Sequence, residues 1–320
     1  MLTSFFINYG IFSAMLTLLL VETGASVLVL LNYSRYIDRV LKYIVPIWEV
    51  NGTFVAFYLV NLEATYPYMV KLIGTVYIAP VLAGLIIFMA HNAYLAYSEY
   101  IGKEEPKRLY MKIYSTSMVL VAFIAVSILT SAVSGIGINQ GKMSISLLTM
   151  FLNGYNILMF IGIVLITLSS TLMFFNARIS NWNFTPLLLA AIGIIVVGIA
   201  SLIYVPYIAA DFARLYLYLI PAIGLLIVAS VLNLGLNRRF TRVATVSFLL
   251  YGIMYFGVLQ YPYFFGETID AGTIVNSSAL VPYVNWITLL GGIFLVAILT
   301  VFAYYTYLKP EDGFRTGAGN

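Results

Sequence analysis

The chain has 320 residues, 62% of them hydrophobic and 9% charged, with a formal net charge of +4 and a mean hydropathy of +1.00. A water-soluble domain carries roughly 25% charged residues, and a surface this poor in charge is favourable only against lipid, so a soluble fold is excluded. With no Cys and a single His, the chain offers no disulfide, thiolate metal site, c-type haem attachment, bis-His haem ligation or zincin motif. It also has no Gly-rich phosphate loop followed by Lys and no dinucleotide-binding fingerprint.

A membrane-spanning helix needs about 20 mostly apolar residues. Nine segments meet that requirement: 9–32, 44–66, 72–97, 112–134, 144–175, 184–207, 212–235, 243–262 and 282–308. Their apolar runs are continuous rather than alternating, which predicts helices and not barrel strands. No basic stretch precedes the first span and it is too long for a cleavable signal, so it reads as a retained helix. The chain is therefore expected to form one all-α polytopic membrane domain over residues 1–308. A Gly-rich, charged tail, 309–320, is expected to be disordered. No internal sequence repeat is visible.

Basic residues set the expected orientation. Thirteen of the sixteen Lys and Arg fall after spans one, three, five, seven and nine, leaving only Lys71, Lys142 and Arg214 on the other side. The positive-inside rule then puts the N-terminus outside and the C-terminus in the cytoplasm. Basic loops beside anionic lipid account for the net charge without nucleic acid.

Ionisable groups inside spans are costly unless paired or wetted, which makes each a functional candidate. Span one runs inward and places Glu22 near mid-membrane. Glu49 lies a turn or two from the cytoplasmic end of span two, His91 of span three at a similar depth, and Glu63 near the outer face. Read together, Glu49, His91 and Glu22 form a proton route entered from the cytoplasm at Glu49 and His91 and continued inward to Glu22. The plainer readings are a carboxylate favoured near a helix start for Glu49, an interfacial carboxylate for Glu63 and a packed, hydrogen-bonded imidazole for His91. The many Tyr, with Tyr66, Tyr68, Tyr261 and Tyr263 as examples, read as interfacial belt material. Pro80 and Pro221 read as prolines within spans, their freed carbonyls satisfied by neighbouring helices. Of the Asn-x-Ser/Thr matches at Asn183 and Asn276, only the latter falls on the expected outer side.

Trp48-Glu49-Val50-Asn51, followed along one helix by Tyr66-Pro67, resembles the W-D-G-N…W-P signature of subunit II of cytochrome bd quinol oxidases. Glu22-Thr23-Gly24 is similar to the acidic D-G-F-D motif on that family's first helix. Ser169-Ser170-Thr171-Leu172 with Asn176-Ala177-Arg178, Ile220-Pro221-Ala222, and Tyr261-Pro262-Tyr263 with Asn276-Ser277-Ser278 and Tyr304-Tyr305 extend the resemblance over nearly the whole chain. Four departures mark a divergent member. Glu49 and Val50 stand for the family's Asp and Gly, Ala25 replaces the second acid of the first motif, and His91 stands where the family has Arg.

The resemblance implies two four-helix bundles plus one peripheral helix. It also implies a multi-pass subunit of the cell membrane that binds no haem or metal itself. Its partner, subunit I, would carry the haems, oxidise quinol and reduce O₂ to water. Trp48, Asn51 and Pro67 would then be structural motif residues, and Glu49, Glu22 and His91 part of the proton supply. Two other readings stay open on the residues alone: a proton-coupled secondary transporter using Glu22 and Glu49, and a redox-inactive scaffold subunit of another respiratory complex.

Overall fold

The structure of the protein, a computed structural model, describes residues 2–100, 104–139, 143–179, 182–236 and 238–303. The expected tail 309–320 lies outside them. The chain is almost entirely helical. Five helices open it: α1 (Leu2–Leu31), α2 (Tyr33–Thr65), α3 (Pro67–Val76), α4 (Ile78–Tyr100) and α5 (Glu104–Ser134). A short antiparallel hairpin, β1 (Ile138–Asn139) and β2 (Ser144–Ile145), leads to α6 (Leu147–Leu152) and α7 (Gly154–Phe174). Next come α8 (Thr185–Tyr204), α9 (Pro206–Leu215), α10 (Ile220–Val231) and α11 (Arg238–Gln260). A second small hairpin, β3 (Tyr263–Phe265) and β4 (Ile269–Asp270), precedes α12 (Ala271–Ile274) and α13 (Val281–Ala303).

Among the described residues, eight segments are long and apolar enough to cross a membrane, and α13 is apolar over Val281–Leu295. Several expected boundaries are corrected; α4 begins at Ile78 rather than 72, and α5 at Glu104 rather than 112. The span expected over 144–175 begins only at Gly154, because the side chains of Ser146 and Asn153 cap two separate helix starts, α6 and α7. A hydropathy average does not register caps, although Ser and Asn are the residue types that supply them. The first span also starts earlier than expected, at Leu2 rather than residue 9, which changes the depth of Glu22.

The chain breaks twice in the same manner. Tyr66 before Pro67 and Val205 before Pro206 both leave the helical region (φ −137°, ψ 60° and φ −131°, ψ 85°), and each donates its N–H back to the preceding helix. A residue before proline is pushed out of the helical region, and proline is tolerated at the first helical position. Each break opens a helix of 10 residues, α3 and α9, that joins the second and third long helices of a group of four. The element order α1–α2–(α3)–α4–α5 therefore recurs as α7–α8–(α9)–α10–α11, a repeat of architecture that the sequence does not display as similarity. Pro80 and Pro221 lie within candidate spans, Ile78–Ser98 and Pro206–Gly235. They occupy the first turns of α4 and α10, where no intrahelical N–H is required, and Pro46 is the proline inside a helix, α2.

α1 is the central element, packing against α2, α5, α7, α11 and α13. α7 and α8 approach to backbone contact at Gly162 and Gly193: a Cβ on Gly162 would meet the Gly193 carbonyl oxygen at 3.0 Å, and one on Gly193 the Gly162 carbonyl oxygen at 2.7 Å. Small residues allow this approach where lipid supplies no hydrophobic drive between helices. α13 lies against α1 and α2, tied by Asn285 Nδ2 donating to Ser4 Oγ (2.8 Å) and Thr288 Oγ1 donating to Asn61 Oδ1 (2.6 Å).

Candidate functional site

α1 carries Glu22 into the largest cluster of buried apolar side chains, among Val21, Ala25 and Leu28 of its own helix. On one flank Gly24 lets α1 press on α7, where a Cβ would collide with the Thr171 side chain. On the other flank lie α2, α4 and α5, and each supplies one residue to Glu22. His91 Nε2 of α4 lies 2.9 Å from Glu22 Oε1, and the Tyr114 hydroxyl of α5 donates to the same oxygen at 3.0 Å. Asn51 Nδ2 of α2 donates to Oε2 at 3.2 Å. Glu22, His91 and Tyr114 are each 0% exposed and Asn51 1%. One residue from each long helix of the first group therefore meets at one carboxylate.

His91 is held on every side. Its Nδ1 contacts the Tyr114 carbonyl oxygen at 3.1 Å. Its ring is stacked on both Tyr114 (centroids 4.1 Å apart, 23° between planes) and Phe88 (5.5 Å, 16°). Next to it on α4, Asn92 accepts a 2.7 Å hydrogen bond from Trp48 Nε1, a second pin between α2 and α4.

The structure brings Glu22, His91 and Asn51 together and sets Trp48 beside them. It does not bring Glu49 to them. Two residues along a helix point about 200° apart, so with Asn51 facing the bundle Glu49 faces outward, and it is exposed on the isolated chain. Glu63 is likewise exposed near the far end of α2, and Pro67 is exposed at the first position of α3. Glu22 and His91 lie level with each other, which corrects the expectation that Glu22 sits deeper. Because α1 begins at Leu2, its midpoint shifts toward the N-terminus, and Glu22 falls past it by roughly 8 Å of helix rise.

Tyr114 is the site residue that sequence reasoning missed, grouped with the interfacial aromatics. The largest fully buried side chains include Tyr66, Tyr77, Tyr114 and Tyr155, so of the Tyr residues placed in the belt, Tyr66 is instead a packed interior side chain. Tyr66 packs on Phe264 at 4.9 Å, and the expected belt residue Tyr261 packs against Phe5 and Phe6. A usable signal was present: Tyr114 begins a run of hydroxyl residues with Ser115, Thr116 and Ser117 inside an otherwise apolar segment. The match at Asn276 to an N-glycosylation pattern is spent on the fold. Asn276 donates from Nδ2 to the Ala64 carbonyl and accepts from Ser278 N at Oδ1. Among the described residues no three His, Cys, Asp or Glu side chains converge as a metal site would require.

Comparison with known proteins bears on this arrangement. Residues 2–309 match the family model described as cytochrome bd terminal oxidase subunit II. A search of curated protein sequences finds no match. Among solved structures, the fold is similar to a chain of the bd oxidase from Geobacillus thermodenitrificans, with a TM-score of 0.76 over 96% of this chain and 98% of that one. The identity is 14%, so that likeness speaks for the fold alone.

Proposed function

The chain belongs to the cytochrome bd terminal oxidase subunit II family, and from that premise we propose that it is the haem-free subunit of a quinol:O₂ oxidoreductase. In this reading it packs against a haem-bearing subunit I in the cell membrane and supplies part of the proton route for O₂ reduction. The observation that carries the proton role is the Glu22–His91 contact, 2.9 Å between two fully buried protonatable groups in an apolar bundle. Such pairs inside spans are expensive and mark proton or ion pathways by default.

Glu49 supports the placement of the partner. An outward-facing carboxylate within a candidate span, Tyr43–Thr65, is costly against lipid and is relieved by protein or water, so the outer face of α2 is assigned to the seam with subunit I. Glu49 then admits protons at that seam. Haem does not fit the one His of this chain, since both ring nitrogens of His91 are engaged and neither offers a lone pair to iron without breaking the Glu22 contact.

Nine spans with the N-terminus outside complete the topology. The basic chain segments gather at one end: the Tyr36 hydroxyl donates to the Arg178 carbonyl, and Arg108 and Arg242 lie over the rings of Tyr33 and Tyr43. That end is the cytoplasmic one in this reading. In the complex purified on this chain, quinol-driven O₂ uptake is expected, and Glu49→Gln should slow it several-fold at unchanged haem content. Full turnover in Glu49→Gln would remove Glu49 from the route, and failure of any quinol to drive O₂ uptake would overturn the oxidase reading.

A further inference from the structure

The hydrogen bonds around the buried pair determine how many protons it holds and where they sit. A backbone carbonyl can only accept, so the 3.1 Å contact from His91 Nδ1 to the Tyr114 carbonyl oxygen puts a hydrogen on Nδ1. Between His91 Nε2 and Glu22 Oε1, at 2.9 Å, a hydrogen bond needs one proton, either on the ring or on the carboxyl. The first arrangement is imidazolium with carboxylate, and the second is neutral imidazole with carboxylic acid. Neither carries net charge.

The surroundings choose between them. The Tyr114 hydroxyl and the Asn51 amide both donate to Glu22, one to each oxygen, and donors stabilise the ionised carboxylate. The imidazole is stacked on both Tyr114 and Phe88, and aromatic faces favour a cation. Each of these contacts favours charge separation. Tyr114 makes three of the contacts: its hydroxyl to Glu22, its carbonyl to His91 and its ring against the imidazole.

We propose that Tyr114 is a positioning residue that holds Glu22 and His91 as a carboxylate–imidazolium couple with one mobile proton resting on His91 Nε2, and that His91 exchanges protons only through Glu22. With Nδ1 committed to a carbonyl, His91 is a side branch of the route and not a step along it. When a proton is drawn, the N–H bond at Nε2 first breaks and an O–H bond forms at Glu22 Oε1, giving neutral imidazole and carboxylic acid with the couple still neutral. The O–H bond then breaks as the proton passes to an acceptor along the route. This leaves carboxylate beside neutral imidazole, with one net negative charge, until a proton entering through Glu22 restores Nε2–H. The role of this reserve in turnover rests on the proton-route reading above, whereas the resting place of the proton does not.

Infrared spectra of the intact complex test the assignment. The difference between wild type and Glu22→Gln should contain carboxylate bands and no protonated-carboxyl C=O band. Tyr114→Phe keeps the ring and the carbonyl and removes one donor to Glu22. It should gain a protonated-carboxyl band that is lost again when Glu22→Gln is added. A protonated-carboxyl band in wild type that Glu22→Gln abolishes would overturn the proposal, as would a Tyr114→Phe spectrum identical to wild type. Should Tyr114→Phe fail to assemble, His91→Gln gives a second reading: without the imidazolium the carboxyl takes up a proton and the same band must appear, and its absence counts against the proposal. Turnover of Glu22→Gln on the same samples keeps the two claims apart, because unchanged turnover removes the proton-route role while the infrared assignment stands or falls separately.

Discussion

His91→Leu should lower the stability of the first helix group by about 3–5 kcal/mol, the usual cost of removing one partner of a buried ion pair. Leucine fills much of the imidazole volume but leaves Glu22, 0% exposed, without its cation. The Tyr114 hydroxyl and Asn51 amide remain as donors, but without a charge partner the carboxyl must take up a proton to stay buried in an apolar bundle, and that uptake lowers stability. The double substitution Glu22→Leu with His91→Leu should recover a large part of that loss, because exchanging a whole buried pair for apolar groups is often close to neutral. Recovery stays incomplete, because the Tyr114 hydroxyl and the Asn51 amide lose their acceptor; adding Tyr114→Phe to the pair removes one of those orphaned donors and should bring stability closer to wild type. Denaturant unfolding of the detergent-solubilised complex, followed by a probe on this chain, checks the cycle. A double variant no more stable than His91→Leu alone would mean that the two residues are not energetically coupled.

The second large effect is on rate. Glu22→Gln keeps the size of the side chain and its capacity to accept from Tyr114, yet it cannot carry a proton. Quinol-driven O₂ uptake by the complex is expected to fall by about tenfold or more; a positioned proton donor commonly contributes about 10²–10⁴-fold. Haem content should be unchanged, since Glu22 lies wholly inside this chain's bundle, and this separates a proton defect from an assembly defect. Oxygen electrode rates set beside haem spectra of the same preparation make the comparison. Equal rates in wild type and Glu22→Gln would show that protons reach the oxygen site without this carboxylate.

Hydropathy located the helices well because burial in lipid is a property of long runs, and a window of about 20 residues averages over local detail. The ends of α2 and α8, at Thr65 and Tyr204, follow a different rule, the exclusion of the pre-proline residue from the helix, which a hydropathy average does not use. The start of α7 was misplaced because Asn153 acts through a single side-chain cap, to which an average is blind. Position along the chain also gives depth but not direction around the axis. Glu49 and Asn51 differ little in depth, yet one faces outward and the other reaches Glu22.

The site was half legible for a related reason. Glu22 and His91 stood out as ionisable residues within apolar runs, and a charge in lipid has few fates other than a partner. Their pairing did not follow from the spacing, because it depends on how α1, α4 and α5 pack, and the depth of Glu22 was misjudged with the start of α1. Tyr114 escaped notice because tyrosine suits both an interfacial belt and a buried hydrogen-bonded position. Only the contact with Glu22, 92 residues away in sequence, decides between them.

The central claim is that this chain, with no free haem ligand at its one His, serves a haem-bearing partner that reduces O₂ with electrons from quinol. Its most direct test is affinity purification of the tagged chain from its native membranes, followed by a reduced-minus-oxidised spectrum and quinol-driven O₂ uptake on the same fraction. The account predicts a co-purifying multi-span subunit, haem bands that belong to it and O₂ consumption that depends on added quinol. A haem-free particle containing this chain alone, inert toward quinol and able to accumulate a solute when placed in liposomes, would contradict it.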